Sequence, residues 1–334
     1  MGNVLTGPHV LRGVAVTTVR AALCGRDEVR LTFLREEALP VGSVTTGPTT
    51  GLPVRRYQAG DGAVVLDLVN ADRITGQPVT TPEMLAEALA GRSPTDAGWW
   101  AELDAPVTDV IHDAAGRVLG VVSHAVRSSD DTGFILWLHG SENPVVVGAL
   151  IEHAIAALGR QRTILAFEFA SALSLGLEGL PAGHRPATRK ALETAGFSGR
   201  NLWRYMHAGL PLAGLPLAAH YEVRDCEEPP GKRLEVREGG ELLAEATIGR
   251  PVAGIGVLWW ISVAPAARGR GLGLGLLGSS LDLLQGLGAR EAILFVDDDA
   301  PADDPERSRA AANRMYDRAG LMQVDRLFSF SRRP

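Results

Sequence analysis

Ile261-Ser262-Val263-Ala264-Pro265-Ala266-Ala267-Arg268-Gly269-Arg270-Gly271-Leu272-Gly273-Leu274-Gly275 decides how the rest of the chain is read. Apolar and β-branched residues run up to Ala264 as a strand, Pro265 ends it, and a Gly/Arg turn leads straight into a long apolar-periodic helix. Glycines let backbone N–H groups approach an anion closely, and a helix N-terminus adds partial positive charge. Arg268 and Arg270 add guanidinium groups that suit phosphate. Strand, turn, helix and two arginines together read as a phosphate cradle rather than a flexible connector. A Walker loop would need Gly-Lys-Ser/Thr, and the glycine spacing from Gly271 to Gly275 departs from the dinucleotide fingerprint Gly-x-Gly-x-x-Gly.

Working outward, strands are expected over 220–224, 233–237, 242–248, 256–263 and 292–297, with helices over 272–287 and 305–318, the latter closed by Gly320. The first half repeats this order. A strand over 54–57 precedes a helix near 63–70 and a second helix capped by Thr80 or Thr81, with Pro82 at its first position. Strands over 107–112, 117–126 and 134–138 follow, then a helix over 145–158, a strand over 163–169 and a helix over 186–195. Leu192-Glu193-Thr194-Ala195-Gly196-Phe197 parallels Tyr316-Asp317-Arg318-Ala319-Gly320-Leu321 in letters, and 159–165 lines up with 288–294. Two copies of one α/β unit is the simplest account. The expected organisation is an extension over 1–50 with short strands over 14–19 and 29–34, a first copy over 51–210, and a second over 217–334. A Pro-rich joint over 210–216 separates the copies. Only residues 225–231 separate the second copy's first two strands, which leaves no room for the two helices of the first copy.

Composition narrows the function. The 334 residues are 46% hydrophobic and 22% charged, with a net charge of −6, which disfavours a broad electrostatic grip on nucleic acid or anionic lipid. Cys24 and Cys226 are isolated, so neither a disulfide scaffold nor a Cys-based zinc site is expected, and no metal is assigned. No apolar run reaches the ~18 residues of a membrane span. The expected setting is a reducing cytoplasm. Lysine occurs only at Lys190 and Lys232, the usage of a GC-rich bacterial genome.

Arg268, Gly271 and Gly273 after Val263-Ala264-Pro265 form an Arg-x-x-Gly-x-Gly pattern that resembles the acyl-CoA pyrophosphate motif of GCN5-related N-acetyltransferases (GNATs). Residues 313–321, with Tyr316 ahead of Gly320-Leu321, resemble that family's second motif. The resemblance is strong from Leu217 onward and covers the first copy in outline; a tandem layout with one degenerate copy resembles that of mycothiol synthase. It implies an α/β (α+β) fold of two tandem GNAT-like domains, each a mixed, mostly antiparallel sheet flanked by helices. It further implies acetyl-CoA or another short acyl-CoA as cosubstrate. Ile261 and Val263 would pair with the pantetheine, and Arg268, Gly269, Arg270, Gly271, Leu272 and Gly273 would hold the pyrophosphate. An amine of a small molecule would attack the thioester directly, and Tyr316 would protonate the departing thiolate. Where the family often has Asn, seven residues before this Tyr, the chain has Arg309; Asn313 is the candidate substitute. For the general base, Asp297, Glu245 and a water relay all stay open.

Lining up the helix–strand joints places His139-Gly140-Ser141-Glu142-Asn143-Pro144 against the phosphate turn, and Leu192 against Tyr316. Glu142 would repel a pyrophosphate and Pro144 removes a donor, so the first copy is expected to be a poor acyl-CoA site. Trp99-Trp100 and Trp259-Trp260 are candidates for walling the acceptor pocket, with one of each pair expected in the core. Two other functions fit the same motifs: an acyl-CoA-binding regulatory module without turnover, and an acyltransferase that draws on aminoacyl-tRNA.

Overall fold

Asp113-Ala114-Ala115-Gly116 shows how local sequence sets the architecture. Gly116 takes φ +83°, and Asp113 Oδ1 accepts the N–H groups of Ala115 and Arg117, closing a tight hairpin. The computed structural model describes residues 51–227, 229–297 and 309–334. The readings over 1–50, Asp298, Asp299 and residues 305–308 lie outside them. The first half runs β1 (Val54–Arg56), α1 (Gly62–Ala71), α2 (Pro82–Leu89), α3 (Ala97–Trp100), β2 (Val107–His112), β3 (Val118–Arg127), β4 (Thr132–His139), α4 (Pro144–Leu158), β5 (Ile164–Ala166), β6 (Leu180–Pro181), α5 (Pro186–Thr194) and β7 (Ser198–Gly209). The second half runs β8 (Glu222–Glu227), β9 (Pro230–Glu238), β10 (Glu241–Gly249), β11 (Ile255–Val263), α6 (Leu272–Gly286), β12 (Glu291–Asp297), α7 (Ala310–Arg318) and β13 (Met322–Arg332).

Local chemistry explains several boundaries. Thr81, not Thr80, caps α2: its Oγ1 accepts the Met84 N–H at 3.3 Å, and Pro82 takes the first helical position, where no N–H is needed. The strand expected over 163–169 stops at Ala166, because Phe167 turns to φ +59° and leaves the extended region.

The strands join one mainly antiparallel sheet in the order β1-β2-β3-β4-β5-β13-β7-β12-β11-β10-β9-β8, with β6 beside β13. Two parallel joins interrupt it, β4 with β5 and β11 with β12, and these mark the same place in each copy. The final strands are exchanged. β13, from the end of the second half, pairs with β5 of the first, while β7 pairs with β12 of the second, and β7 and β13 pair with each other in the middle. Neither β7 nor β13 was expected from the sequence.

α4 backs one face of the first sheet through Val147, Leu150 and Ile151, and α6 backs the second through Leu276, Leu277 and Leu284, all fully buried. On the opposite face α1, α2 and α3 cover the first sheet. The second sheet has no such helices, since β8 and β9 join directly. Two first-half segments cover it instead. Ile74 packs with Ile255, Val257 and Ile293, and the 171–179 segment adds Leu175 and Leu177 to the same cluster, which Trp259 and Phe295 also pack against. Gln77 fastens this layer: its Oε1 accepts the Leu175 N–H at 2.7 Å and its Nε2 donates to the Tyr205 hydroxyl at 3.1 Å. At these contacts a Cβ on Gly76 would sit 2.6 Å from Ile293, and one on Gly176 would sit 2.3 Å from the Trp259 ring. No helix among the described residues is long and apolar enough to cross a membrane.

Candidate functional site: a splayed strand pair above a glycine turn

β10 and β11 pair from Ala244↔Val263 to Thr247↔Trp260 and again at Ile248↔Leu258, so Trp259 is the extra residue of a β-bulge. β11 meets β12 only from Ile255↔Glu291 to Leu258↔Leu294. Beyond the bulge the two parallel strands part, and a gap opens alongside residues 259–263. Ala264 donates its N–H to Leu243 O at 2.8 Å. Backbone groups alternate sides along a strand, so Ser262 also faces β10 while Ile261 and Val263 turn their N–H and C=O groups into the gap. The Val263 carbonyl accepts a long contact from Arg268 Nε, 3.4 Å.

The turn lies at the mouth of this gap. Gly269 and Gly271 adopt φ +78° and +79°, the left-handed region that a side chain disfavours. Gly271 is also the N-cap of α6 and brings no side-chain acceptor. The helix's first backbone bond runs from Gly275 N–H to Gly271 O, which leaves the N–H groups of Leu272, Gly273 and Leu274 without intrahelical acceptors. Arg268 and Arg270 flank these donors, both exposed, and Arg270 is held 2.9 Å from Glu238 in a surface ion pair. Residues 268–273 thus lie together at a helix start with unpaired backbone donors.

Tyr316, on α7, is buried at 5% exposure. Burial pushes its hydroxyl well above the ordinary tyrosine range, and the Asp297 carboxylate pushes the same way, so it carries its proton at neutral pH. Asp297 ends β12 and is gripped by Arg309, with Nε at 2.9 Å and Nη2 at 2.8 Å. Asn313 directs its Oδ1 to Arg204 of β7 at 2.9 Å, and the same guanidinium holds Asp317 at 2.6 Å. Glu245 stands on the face of β10 away from α6, half-buried and opposite Glu235.

The equivalent place in the first half is built differently. Asn143 Oδ1 accepts the N–H groups of Val145 and Val146, and Pro144 has none, so the start of α4 is already capped. Glu142 does not face the start of α4. Its Oε2 accepts the N–H groups of Ala187 (2.7 Å) and Thr188 (3.1 Å) at the start of α5, and its Oε1 meets Arg185 Nε at 2.7 Å. Leu192, fully buried, occupies the place of the tyrosine. A cleft of about 80 Å³ remains between β4 and the segment after β5, with the buried Asp72 and its partly buried partner His139 on its wall. Burial pushes Asp72 up, but the hydrogen bond from His139 and the charge of Arg185 outweigh it and hold the carboxyl below its ordinary value. Burial pushes His139 below the usual histidine range against the pull of Asp72, so its ring is neutral at pH 7.

One tryptophan of the first pair is in the core, whereas in the second pair neither is fully buried. Trp100 is core, donating to Ala170 O at 3.0 Å, while Trp99 stacks on Phe169. Trp259 stacks on Phe295 beneath Gly176, and Trp260 is 36% exposed. Gly176, Trp203 and Phe295, which border this face, were missed, because the loop and the strand that carry two of them show no periodicity that places them there.

A splayed parallel pair with unpaired backbone on one side, opening onto an uncapped glycine turn, is the arrangement of this half of the sheet. Residues 202–320 match the model of the acetyltransferase (GNAT) family. The match lies in the second half, and the first half repeats the same order of strands and helices around its own parallel pair. Among solved structures it is similar to a GCN5-related N-acetyltransferase from Sphaerobacter thermophilus, with 15% identity over 85% of this chain and 96% of that one, TM-score 0.54. It is also similar to a tandem GNAT protein from the clavulanic acid biosynthesis pathway, with 17% identity over 84% and 98%, TM-score 0.56. A third is the GCN5-related glucosamine N-acetyltransferase region of a fungal multi-domain β-N-acetylglucosaminidase, with 16% identity over 85% and 38%, TM-score 0.54. No curated protein matches the chain.

Proposed function

We propose that the chain moves an acetyl or other short acyl group from acyl-CoA to an amine of a small molecule. One cofactor site lies in the second half, and the acceptor site is shared between halves. The uncapped start of α6 at the mouth of the gap carries this reading. Its three free N–H groups, with Arg268 and Arg270, suit the pyrophosphate, and the inward backbone of Ile261 and Val263 suits the pantetheine amides. The thioester carbonyl then lies where β11 and β12 part, within reach of the α7 side chains. The amine lone pair attacks the carbonyl carbon, and the C–S bond breaks as the tetrahedral intermediate collapses. Tyr316 gives its proton to the departing sulfur, for which a neutral phenol is suited. The amine proton leaves through water. Asp297 is the weaker choice as base, because a carboxylate gripped by Arg309 has little drive to accept a proton. Asn313, engaged by Arg204, supports the cofactor only indirectly.

The first half supplies what the second lacks. Its 74–77 and 171–179 segments take the place of the missing helices over the second sheet, next to the gap. Free-thiol release from acetyl-CoA, measured with and without amines that include an amino sugar such as glucosamine, tests the reading. Amine-dependent release supports it. Tight acetyl-CoA binding with no release for any amine would identify a regulatory module, and release that needs charged tRNA would identify the aminoacyl-dependent reaction, against which the net charge of −6 already weighs.

A further inference from the structure

Far along the chain from the glycine turn, two imidazoles and one carboxylate converge. Asp109 on β2 and His124 on β3 are buried at 4% and 6% exposure, and His153 reaches them from α4. His124 Nε2 lies 3.1 Å and His153 Nε2 2.8 Å from the same oxygen, Asp109 Oδ2. All three ligand atoms lie within 4.8 Å of one another, an arrangement found once among the described residues. The other oxygen, Oδ1, takes Arg56 Nη1 at 3.0 Å.

We propose that Asp109, His124 and His153 form a zinc site in the first half. The donor set is one zinc accepts, two imidazole nitrogens and a carboxylate oxygen, with water as a fourth ligand. Two ligands of a tetrahedral ion with bonds of ~2.1 Å stand about 3.4 Å apart. The widest side of the triangle therefore needs to close by up to about 1.4 Å, which a rotation of His153 provides, since its side chain is the most exposed of the three. On binding, each ring gives up to solvent the Nε2 proton it donates to Asp109 and carries a proton on Nδ1 instead, so that the Nε2 lone pair coordinates the ion. Arg56 stays on Oδ1 and fixes the carboxylate, the outer-shell role that such partners commonly play. Two imidazoles from different elements bring their Nε2 atoms to one carboxylate oxygen, an arrangement that a shared cation can also occupy. The ion would pin α4 to β2 and β3. Nothing in the sequence announces the site, because the three residues are 15 and 29 positions apart with no local spacing motif.

The test uses the full chain without a histidine tag, stripped with chelator and dialysed against zinc chloride. Metal analysis is expected to give one zinc per chain, and zinc to raise the melting temperature by at least about 3 °C. His153→Gln, at the most exposed ligand, and Asp109→Asn are expected to weaken binding more than tenfold, with His153→Gln keeping the circular dichroism of the metal-free wild type. Cobalt(II) in place of zinc is expected to show visible bands of a four-coordinate ion, absent in His153→Gln. Substoichiometric zinc in the wild type, or equal zinc in wild type and His153→Gln, overturns the proposal. So does a variant that loses stability while neither protein responds to zinc, which leaves hydrogen bonding as the whole role of the cluster.

Discussion

Gly271→Asp and Gly271→Asn form an isosteric pair that isolates charge at the glycine turn. A Cβ at Gly271 meets nothing within 4 Å, so neither side chain clashes with the protein. The residue sits at φ +79°, where Asp and Asn are the side-chain residues best tolerated, so both variants carry a similar folding cost of about 1 kcal/mol. They differ when a pyrophosphate arrives. A carboxylate roughly 5 Å from a phosphate charge, at an effective dielectric between about 20 and 80, costs about 1–3 kcal/mol. That corresponds to roughly 5- to 150-fold weaker acetyl-CoA binding for Asp than for Asn. Titration calorimetry at low salt measures both constants, and raising the salt should narrow the gap by screening. Equal affinities for the pair would place the pyrophosphate elsewhere and refute the reading of the turn.

Tyr316→Phe should leave acetyl-CoA affinity unchanged and lower kcat by roughly 10²–10⁴-fold in the thiol-release assay; a kcat within about threefold of wild type removes the hydroxyl from the chemistry. Gly176→Ala, at φ +66° and with its Cβ 2.3 Å from the Trp259 ring, should shift the indole beside the gap. It should cost about 1–3 kcal/mol of stability and raise the acceptor KM without changing acetyl-CoA affinity. An unchanged KM in a destabilised protein would make the first half a packing partner only. His139 is held neutral by burial in the folded state, so the unfolded chain binds the proton more readily. Stability should therefore fall as pH drops below about 6.5, with a slope of at most ~1.4 kcal/mol per pH unit from this group, and urea titrations of His139→Gln should show a flatter slope between pH 6.5 and 5.

How far the sequence could be read depended on how local the determining forces are. The strands at Val107–His112 and Ile255–Val263 and the helix at Leu272–Gly286 carry their own periodicity and end signals, and they lie within a residue or so of where pattern alone puts them. The turn at residues 268–273 was legible because its glycines and arginines are consecutive. β7 and β13 were not. Arg200, Arg204, Arg326 and Arg332 break their apolar pattern, and their partners, β12 and β5, come from the opposite half. The bulge at Trp259 arises from the mismatch between β10 and β11, a property of two strands at once. The same limit applies to Asp297 and Arg309, whose ion pair sets the character of the candidate base across 12 residues. It applies again to Glu142, which was expected to oppose a pyrophosphate and instead anchors the start of α5.

Equilibrium dialysis of radiolabelled acetyl-CoA against the full chain tests the central claim most directly, because it counts working cofactor sites. With α4 capped by Asn143 and α6 left uncapped at Gly271, saturation should occur at one acetyl-CoA per chain. Saturation at two per chain, or no saturable binding, would contradict the account.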